Sequence, residues 1–260
     1  MLHPRILKCQ QKNIRKNENN ITNFRSNIFC YNFECKPFCT NGKYEQIYNS
    51  YRHSVLSNQF WFVCSAENTE IKIVSGSCDT TLLVGTSWID VNNYVDTDTM
   101  IIYGNVREFT CLHNSTIMEL DASHSTDLID LDCRHNRLTS LNVSGCTSLE
   151  RLSCYRNRLT SLDISTLTQL NELYLFNNNF TTQALNEIYC DLPQKMPSDY
   201  AEIMVTTYAT DPIILATNKS NATGKNWTVR YWDGNKISNV PATTGNYVCN
   251  NSASLDVIDE

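Results

Sequence analysis

The sequence predicts a short solenoid of stacked coils, closed by a β-rich cap before it and an α/β cap after it. Three observations predict this class. A block of 21–22 residues repeats along 106–180. Each copy places an Asn at one fixed position, with Leu, Phe or Cys at alternating positions before it. Short β-rich runs precede the repeats, and a helix-then-strand pattern follows them. One coil cannot bury its apolar side alone, so coils stack and share a core, and the terminal coils need covers.

The repeats come first because they set the architecture. LIDLDCRHNRLTSLNVSGCTS (128–148), LERLSCYRNRLTSLDISTLTQ (149–169) and LNELYLFNNNF (170–180) align without gaps, so Asn136, Asn157 and Asn178 fall 21 residues apart. A weaker copy, VREFTCLHNSTIMELDASHSTD (106–127), puts Asn114 in the same place with one extra residue. The three gap-free copies read L-x-x-L-x-[LC]-x-x-N-x-[LF], the leucine-rich-repeat signature, and the weaker copy varies it with Val106, Phe109 and Thr116. The predicted fold is therefore a leucine-rich-repeat solenoid with a short curved parallel sheet of about four repeats, spanning 105–192. Leu131 with Cys133, Leu152 with Cys154, and Leu173 with Leu175 alternate as inward strand residues should. Leu138, Leu141 and Val143, and likewise Leu159, Leu162 and Ile164, close the core from the convex side. The Asn residues sit where the chain leaves the strand, where an amide can satisfy backbone groups of adjacent coils. Asn114, Asn136, Asn157 and Asn178 are thus expected to be structural. Cys111, Cys133 and Cys154 fill the inward strand position and are expected to be core thiols, as is Cys146.

Of the flanks, 59–104 carries the runs FWFVC, EIKIV, TLLVG, SWIDV and MIIYG between turn residues, and reads as the N-terminal cap. After Asn178, Leu185, Ile188 and Tyr189 recur at helical spacing up to Pro193. Region 193–260 is expected to form the second cap. It contains strands at 202–207 and 227–232, a short helix around 213–221, and a polar tail from Asp233. Residues 1–58 are rich in Asn, Lys and Ile without a period and read as a basic segment lacking a clear fold. Cys30, Cys35 and Cys39 lie close together there. With Cys9 or His3 they leave zinc, a disulfide and unpaired thiols open, although no recognised zinc spacing is present. No cofactor and no metal are expected.

Charge limits the partners. Residues 1–60 hold nine Lys/Arg against three Asp/Glu, while the other 200 residues hold 12 against 24. An acidic body is unsuited to phosphate backbones, so nucleic acid is not expected. No apolar run reaches the roughly 18 residues of a transmembrane helix. The N-terminus MLHPRILKCQQKNIRKNENN has no apolar core of the length a secretory signal needs.

The outward residues of the strands are the candidate site. Across the four coils their columns are Glu108, Asp130, Arg151 and Glu172; then Thr110, Asp132, Ser153 and Tyr174; then Leu112, Arg134, Tyr155 and Phe176; and last His113, His135, Arg156 and Asn177. Tyr and Arg are enriched at binding hot spots. Arg134, His135, Tyr155, Arg156, Tyr174 and Phe176 are therefore the expected ligand-binding residues, with His113 and His135 as neighbours. Four strands make a face of roughly 240 Å², and one more at each side brings it to about 400 Å². Both are below the ~800 Å² per partner of a stable protein complex. G-x-S-x-G, H-E-x-x-H and phosphate-binding glycine loops are absent. Cys133 points inward and His135 lies outward or at the turn, so they do not form a nucleophile–base pair. No catalytic residue is expected.

The segments LTSLDISTLTQLNELYLFNNNF, IIYGNVREFTC and ALNEIYCDLP…IILATNKSNATGKNWTV resemble the secreted or surface leucine-rich-repeat proteins of Bacteroidales bacteria, distantly akin to internalin-type repeats. The resemblance covers roughly 60–232. It implies a curved solenoid, an extracellular or cell-surface location, and adhesion to or recognition of protein, peptide or glycan without catalysis. An intracellular, cytoplasmic scaffold or effector for protein–protein interaction is the alternative reading.

Overall fold

The structure, a computed structural model, describes residues 27–31, 61–64, 68–75, 78–90, 99–113 and 117–249. Strand β1 (Asn27–Tyr31) is followed by β2 (Trp61–Cys64), β3 (Thr69–Ser75), β4 (Cys78–Val84), β5 (Ile89–Asp90) and β6 (Thr99–Tyr103). The repeats supply β7 (Val106–Thr110), β8 (Glu119–Asp121), β9 (Asp130–Asp132), β10 (Ser140–Asn142), β11 (Arg151–Ser153) and β12 (Glu172–Tyr174). Helix α1 (Thr182–Asp191), β13 (Glu202–Thr206), α2 (Pro212–Leu215), α3 (Ser220–Thr223), β14 (Thr228–Trp232) and β15 (Ile237–Asn239) complete the order.

Among the described residues these strands form two mixed sheets with parallel sections. The larger has nine strands in the order β15-β14-β13-β12-β11-β9-β7-β2-β5. Its central six, β14 to β7, run parallel, and β15 and β2 flank them antiparallel. The second has six, in the order β10-β8-β1-β6-β3-β4.

The repeat pattern explains the register. Phe109, Leu131, Leu152, Leu173, Ile203 and Val229 are cross-strand partners, and all are buried. Cross-strand partners share a face, so this row forms one continuous inner wall. Leu138, Leu141, Val143, Leu159, Leu162 and Ile164 close the core opposite it. There the chain turns by a repeated device. Asp121 Oδ1 accepts from Ser123 N, Asn142 Oδ1 from Ser144 N and Asp163 Oδ1 from Ser165 N, at 2.9, 3.2 and 2.9 Å. These are Asx turns, in which a short carboxylate or amide side chain takes the place of a backbone acceptor. Neighbouring turns touch closely. A Cβ on Gly145 would collide with the carbonyl of Ser123.

Three features differ from the sequence reading. Strand β1 falls inside the segment read as having no clear fold, and it pairs antiparallel with both β6 and β8, joining the cap sheet to the repeats. Strands β13 and β14 do not stand apart as a cap. They continue the parallel ladder of the repeats, so the sheet runs on past residue 192. The stretch around 213–221 holds two short helices because Asp211 caps the first, its Oδ1 accepting from Ile213 N at 3.0 Å, and the chain breaks after Ala216. Helix α1 ends before Pro193, as its spacing predicts, and starts at Thr181, whose hydroxyl accepts from Ala184 N.

The polar tail has a definite role up to residue 249. The Asn218 and Asn221 side chains donate to Tyr247 O at 2.8 and 3.0 Å, and Lys219 Nζ donates to Val240 O at 2.7 Å. A disulfide, Cys190–Cys249, ties the tail to the end of α1. Cys9, Cys35, Cys39, His3 and Asn114 lie outside the described residues, as does the side chain of Cys30.

Candidate functional site

The site is built on the outer face of the nine-stranded sheet. Because β7, β9, β11, β12 and β13 pair in register, their outward residues form rows. The first is Glu108, Asp130, Arg151, Glu172 and Glu202. Arg151 Nη1 donates to Asp130 Oδ2 at 3.1 Å, and its Nε lies 3.6 Å from Glu172 Oε2. Glu202 is nearly buried and is held by Arg230 Nε at 2.7 Å. Like charges meeting across strands repel, and this row sets Glu108 against Asp130 and Glu172 against Glu202; the ion pairs of Arg151 and Arg230 offset that repulsion. The Tyr174 hydroxyl lies 2.7 Å from Glu172 Oε2 and 2.9 Å from Glu202 Oε1. Burial and then these two hydrogen bonds hold its proton well above the usual tyrosine range.

The second row is Trp61, Thr110, Asp132, Ser153, Tyr174 and Met204. Asp132 pairs with Arg134 Nε at 3.2 Å. Burial pushes the carboxyls of Asp130 and Asp132 upward, against the arginines beside them. Ser153, read from the sequence as outward, is fully buried.

Beyond the strand ends the chain bends in the same way in every coil. His113, His135, Arg156 and Asn177 have φ of 57°, 57°, 56° and 58°. This left-handed conformation is costly for most L-residues and is tolerated best by Asn, Asp and His. The interstrand ladder carries into the bend, since His135 N donates to Tyr155 O at 3.1 Å and Arg156 N to Phe176 O at 2.9 Å. The bend is fixed from within by the asparagines. Asn157 Nδ2 donates to Cys133 O and Cys154 O, both at 2.9 Å, and its Oδ1 accepts from Leu138 N at 2.9 Å. Asn178 repeats this with Cys154 O, Leu175 O and Leu159 N. Asn136 Nδ2 donates to Cys111 O and Cys133 O. Cys111, Cys133, Cys146 and Cys154 are buried thiols outside any disulfide. Burial raises the Cys146 thiol to about 12 and the Cys64 thiol to about 11, and raises Cys154 further.

The bend gathers part of the expected site into one aromatic line. His113 and His135 have ring centroids 4.2 Å apart, His135 meets Tyr155 edge-on at 5.5 Å, and Tyr155 stacks on Phe176 at 4.2 Å. Arg134 Nη1 donates to the Tyr155 hydroxyl at 2.8 Å. Burial, and then the charges of His113 and the nearby arginines, push His135 down to about 4, and burial and Arg134 lower His113. Arg134, His135 and Tyr155 thus come together half-exposed, with Arg156 exposed beside them. Tyr174 instead stands in the second row and bonds to the carboxylates of Glu172 and Glu202. Phe176, expected on the surface, is only 6% exposed. Its place in the line turns it into the support beneath Tyr155.

Sequence reasoning missed the face's N-terminal edge. A cavity of about 270 Å³ lies there, walled by Trp61, Trp88, Thr110, Asp130, Asp132 and Arg151. The readable signal was the two-residue spacing of Trp61 and Val63, which puts both on one side of β2. The sheet is longer than the repeats, because β2, β5, β13, β14 and β15 extend it, but β13 is buried on both faces, so it adds no open surface to the face.

Among the described residues, no three His, Cys, Asp or Glu side chains are grouped to hold a metal ion, and no helix is long and apolar enough to cross a membrane. No protein-family model matches the chain, and no curated protein matches it. Among solved structures, the chain is similar to the functional domain of InlJ from Listeria monocytogenes, described as including a cysteine ladder. That likeness has 23% sequence identity and a TM-score of 0.31 over 47% of this chain, and spans 28% of the InlJ chain.

Proposed function

We propose that this chain is a non-catalytic recognition module of the leucine-rich-repeat type. In this reading it binds protein, peptide or glycan through the outer face of its larger sheet and acts outside the cell. The observation that carries the reading is the face itself, where in-register strands align charged and aromatic side chains in continuous rows. Arg134 and Tyr155 supply residue types that dominate binding energy in many interfaces. Burial holds the Cys64, Cys146 and Cys154 thiols protonated, so none of the three is an activated thiolate nucleophile. The Cys190–Cys249 disulfide supports export, since such bonds persist in oxidising compartments.

The test is to screen the full chain against glycan and host-protein arrays, beside a variant carrying Arg134→Ala, Tyr155→Ala and Arg156→Ala. The expected result is one or more ligands bound by the parent and weakened about tenfold or more in the variant. Equal binding by a folded variant would move the site off this region of the face.

A further inference from the structure

We propose that the cavity between the N-terminal cap and the outer face is a saccharide site, with Trp88 as a platform shared by two sugar rings. The proposal rests on the recognition reading above and narrows its ligand to a neutral glycan. Two cavities flank Trp88. The first, of about 270 Å³, lies against the sheet, where Asp130, Asp132 and Arg151 line it. The second, of about 200 Å³, is lined by Thr86, Arg107 and Glu108 and shares Trp88 with the first. Each is below the roughly 300–1,000 Å³ of a drug-sized site, which suits one ring apiece and therefore a chain of at least two rings across the indole.

The lining chemistry selects the ligand. Trp61 is 39% and Trp88 50% exposed, an unusual amount of indole left to solvent at a single cavity. Trp61 pairs with Thr110, and Thr110 with Asp132, so this indole stands on the same face as the carboxylates and one strand spacing from Thr110. An indole face is electron-rich and attracts the positively polarised C–H face of a sugar ring. The carboxylates only accept hydrogen bonds, and sugar hydroxyls donate them. Arg151 supplies N–H donors on the same wall for the ring's oxygens. Thr110 adds a buried hydroxyl that has no hydrogen-bond partner in the protein.

The obvious rival for two tryptophans near two aspartates is a cation, such as a methylated lysine side chain. Charge pairing argues against it. Asp130 is neutralised by Arg151 at 3.1 Å, Asp132 by Arg134 at 3.2 Å, and Glu108 by Arg107 beside the second cavity. A cation gains little from carboxylates that are already paired, whereas a neutral polyol can use both halves of each pair. Burial has raised the Asp130 and Asp132 carboxyls, so hydroxyl donors would replace hydration these groups have partly lost.

The experiment uses the full chain on an array of neutral oligosaccharides, with trimethyl-lysine peptides as a second set of probes. Retained glycans are then titrated by tryptophan fluorescence against Trp88→Ala and Asp130→Asn. The expected outcome is retention of a neutral oligosaccharide class, with each variant weakened about tenfold or more at an unchanged melting temperature. If Trp88→Ala melts early, Asp130→Asn decides. Retention of no neutral glycan, retention of the cationic peptides alone, or parental affinity in the folded variants would each overturn the proposal. Binding lost with Arg134→Ala and Tyr155→Ala, but kept with Trp88→Ala, would leave the recognition reading standing and remove the sugar site.

Discussion

Asn157 shows how much one side chain settles here. Its amide donates to carbonyls of two successive coils and accepts a third bond from Leu138 N, all in a buried position. Its removal orphans Leu138 N, while Cys133 O and Cys154 O keep the amides of Asn136 and Asn178, and a buried group left unpaired costs about 1–3 kcal/mol. Asn157→Ala is therefore expected to lose about 1–3 kcal/mol in urea unfolding, while Asn179→Ala, exposed and held by one long contact, should stay within about 0.5 kcal/mol. Equal losses would refute the ladder. The histidines give a second residue-scale outcome. His135 is lowered to about 4 and His113 is lowered as well, so the folded state favours their neutral forms. Their stabilisation is present above the ordinary histidine value of about 6.5 and fades as pH falls from there towards 4. The raised Asp130 and Asp132 carboxyls act in the opposite sense at the acid end of that window. The melting temperature is expected to drop between pH 7 and 4, and His135→Asn, which also suits the left-handed φ, should flatten that drop. An unchanged slope would contradict the shift. The asparagines were legible in the sequence because a strict 21-residue period repeats their task. Phe176 was not, because position alone does not show that the ring before it lies flat against it.

At the level of elements, legibility followed periodicity. Strands β9 and β12 alternate out and in around a single buried Leu, β11 differs only in burying Ser153 as well, and the repeat signature marks all three. Strand β13 reads EIMVT, and every residue in it is buried. A parallel strand covered on both faces loses the two-residue alternation, and the Asn signature is also gone, so nothing in the sequence tied β13 to the repeats. The tail was illegible for another reason. It is held by side-chain donors from α3 and its flanks to backbone carbonyls, and by one disulfide, none of which leaves an apolar pattern. The disulfide closes a separation of 59 residues. Loop-closure entropy then gives about 4 kcal/mol of stabilisation. Cys249→Ser is expected to lower unfolding stability by about 2–4 kcal/mol, measured by denaturant titration without reductant. A variant as stable as the parent would mean the tail is held by its hydrogen bonds alone.

For the whole molecule, the acidic charge of the body does not reach the outer face as a field. Glu108, Asp130, Asp132, Glu172 and Glu202 are interleaved with Arg107, Arg134, Arg151 and Arg230, most of them within ion-pair distance. The face is close to neutral and carries aromatic rings at both edges of its central coils, which suits contact recognition better than long-range steering. The sheet also proved longer than the repeats once β13, β14 and the cap strands were seen to share it, but β13 is covered on both faces, so the open face stays peptide- or glycan-sized. The most direct measurement is oxidative footprinting of the full chain, free and saturated with the strongest array ligand. Protection of Tyr155 and Tyr174, or of Trp61 and Trp88, with exposed Met118 on the side of the second sheet unchanged, is the predicted result. Protection confined to Met118, with the outer-face rings as reactive as in the free chain, would contradict it.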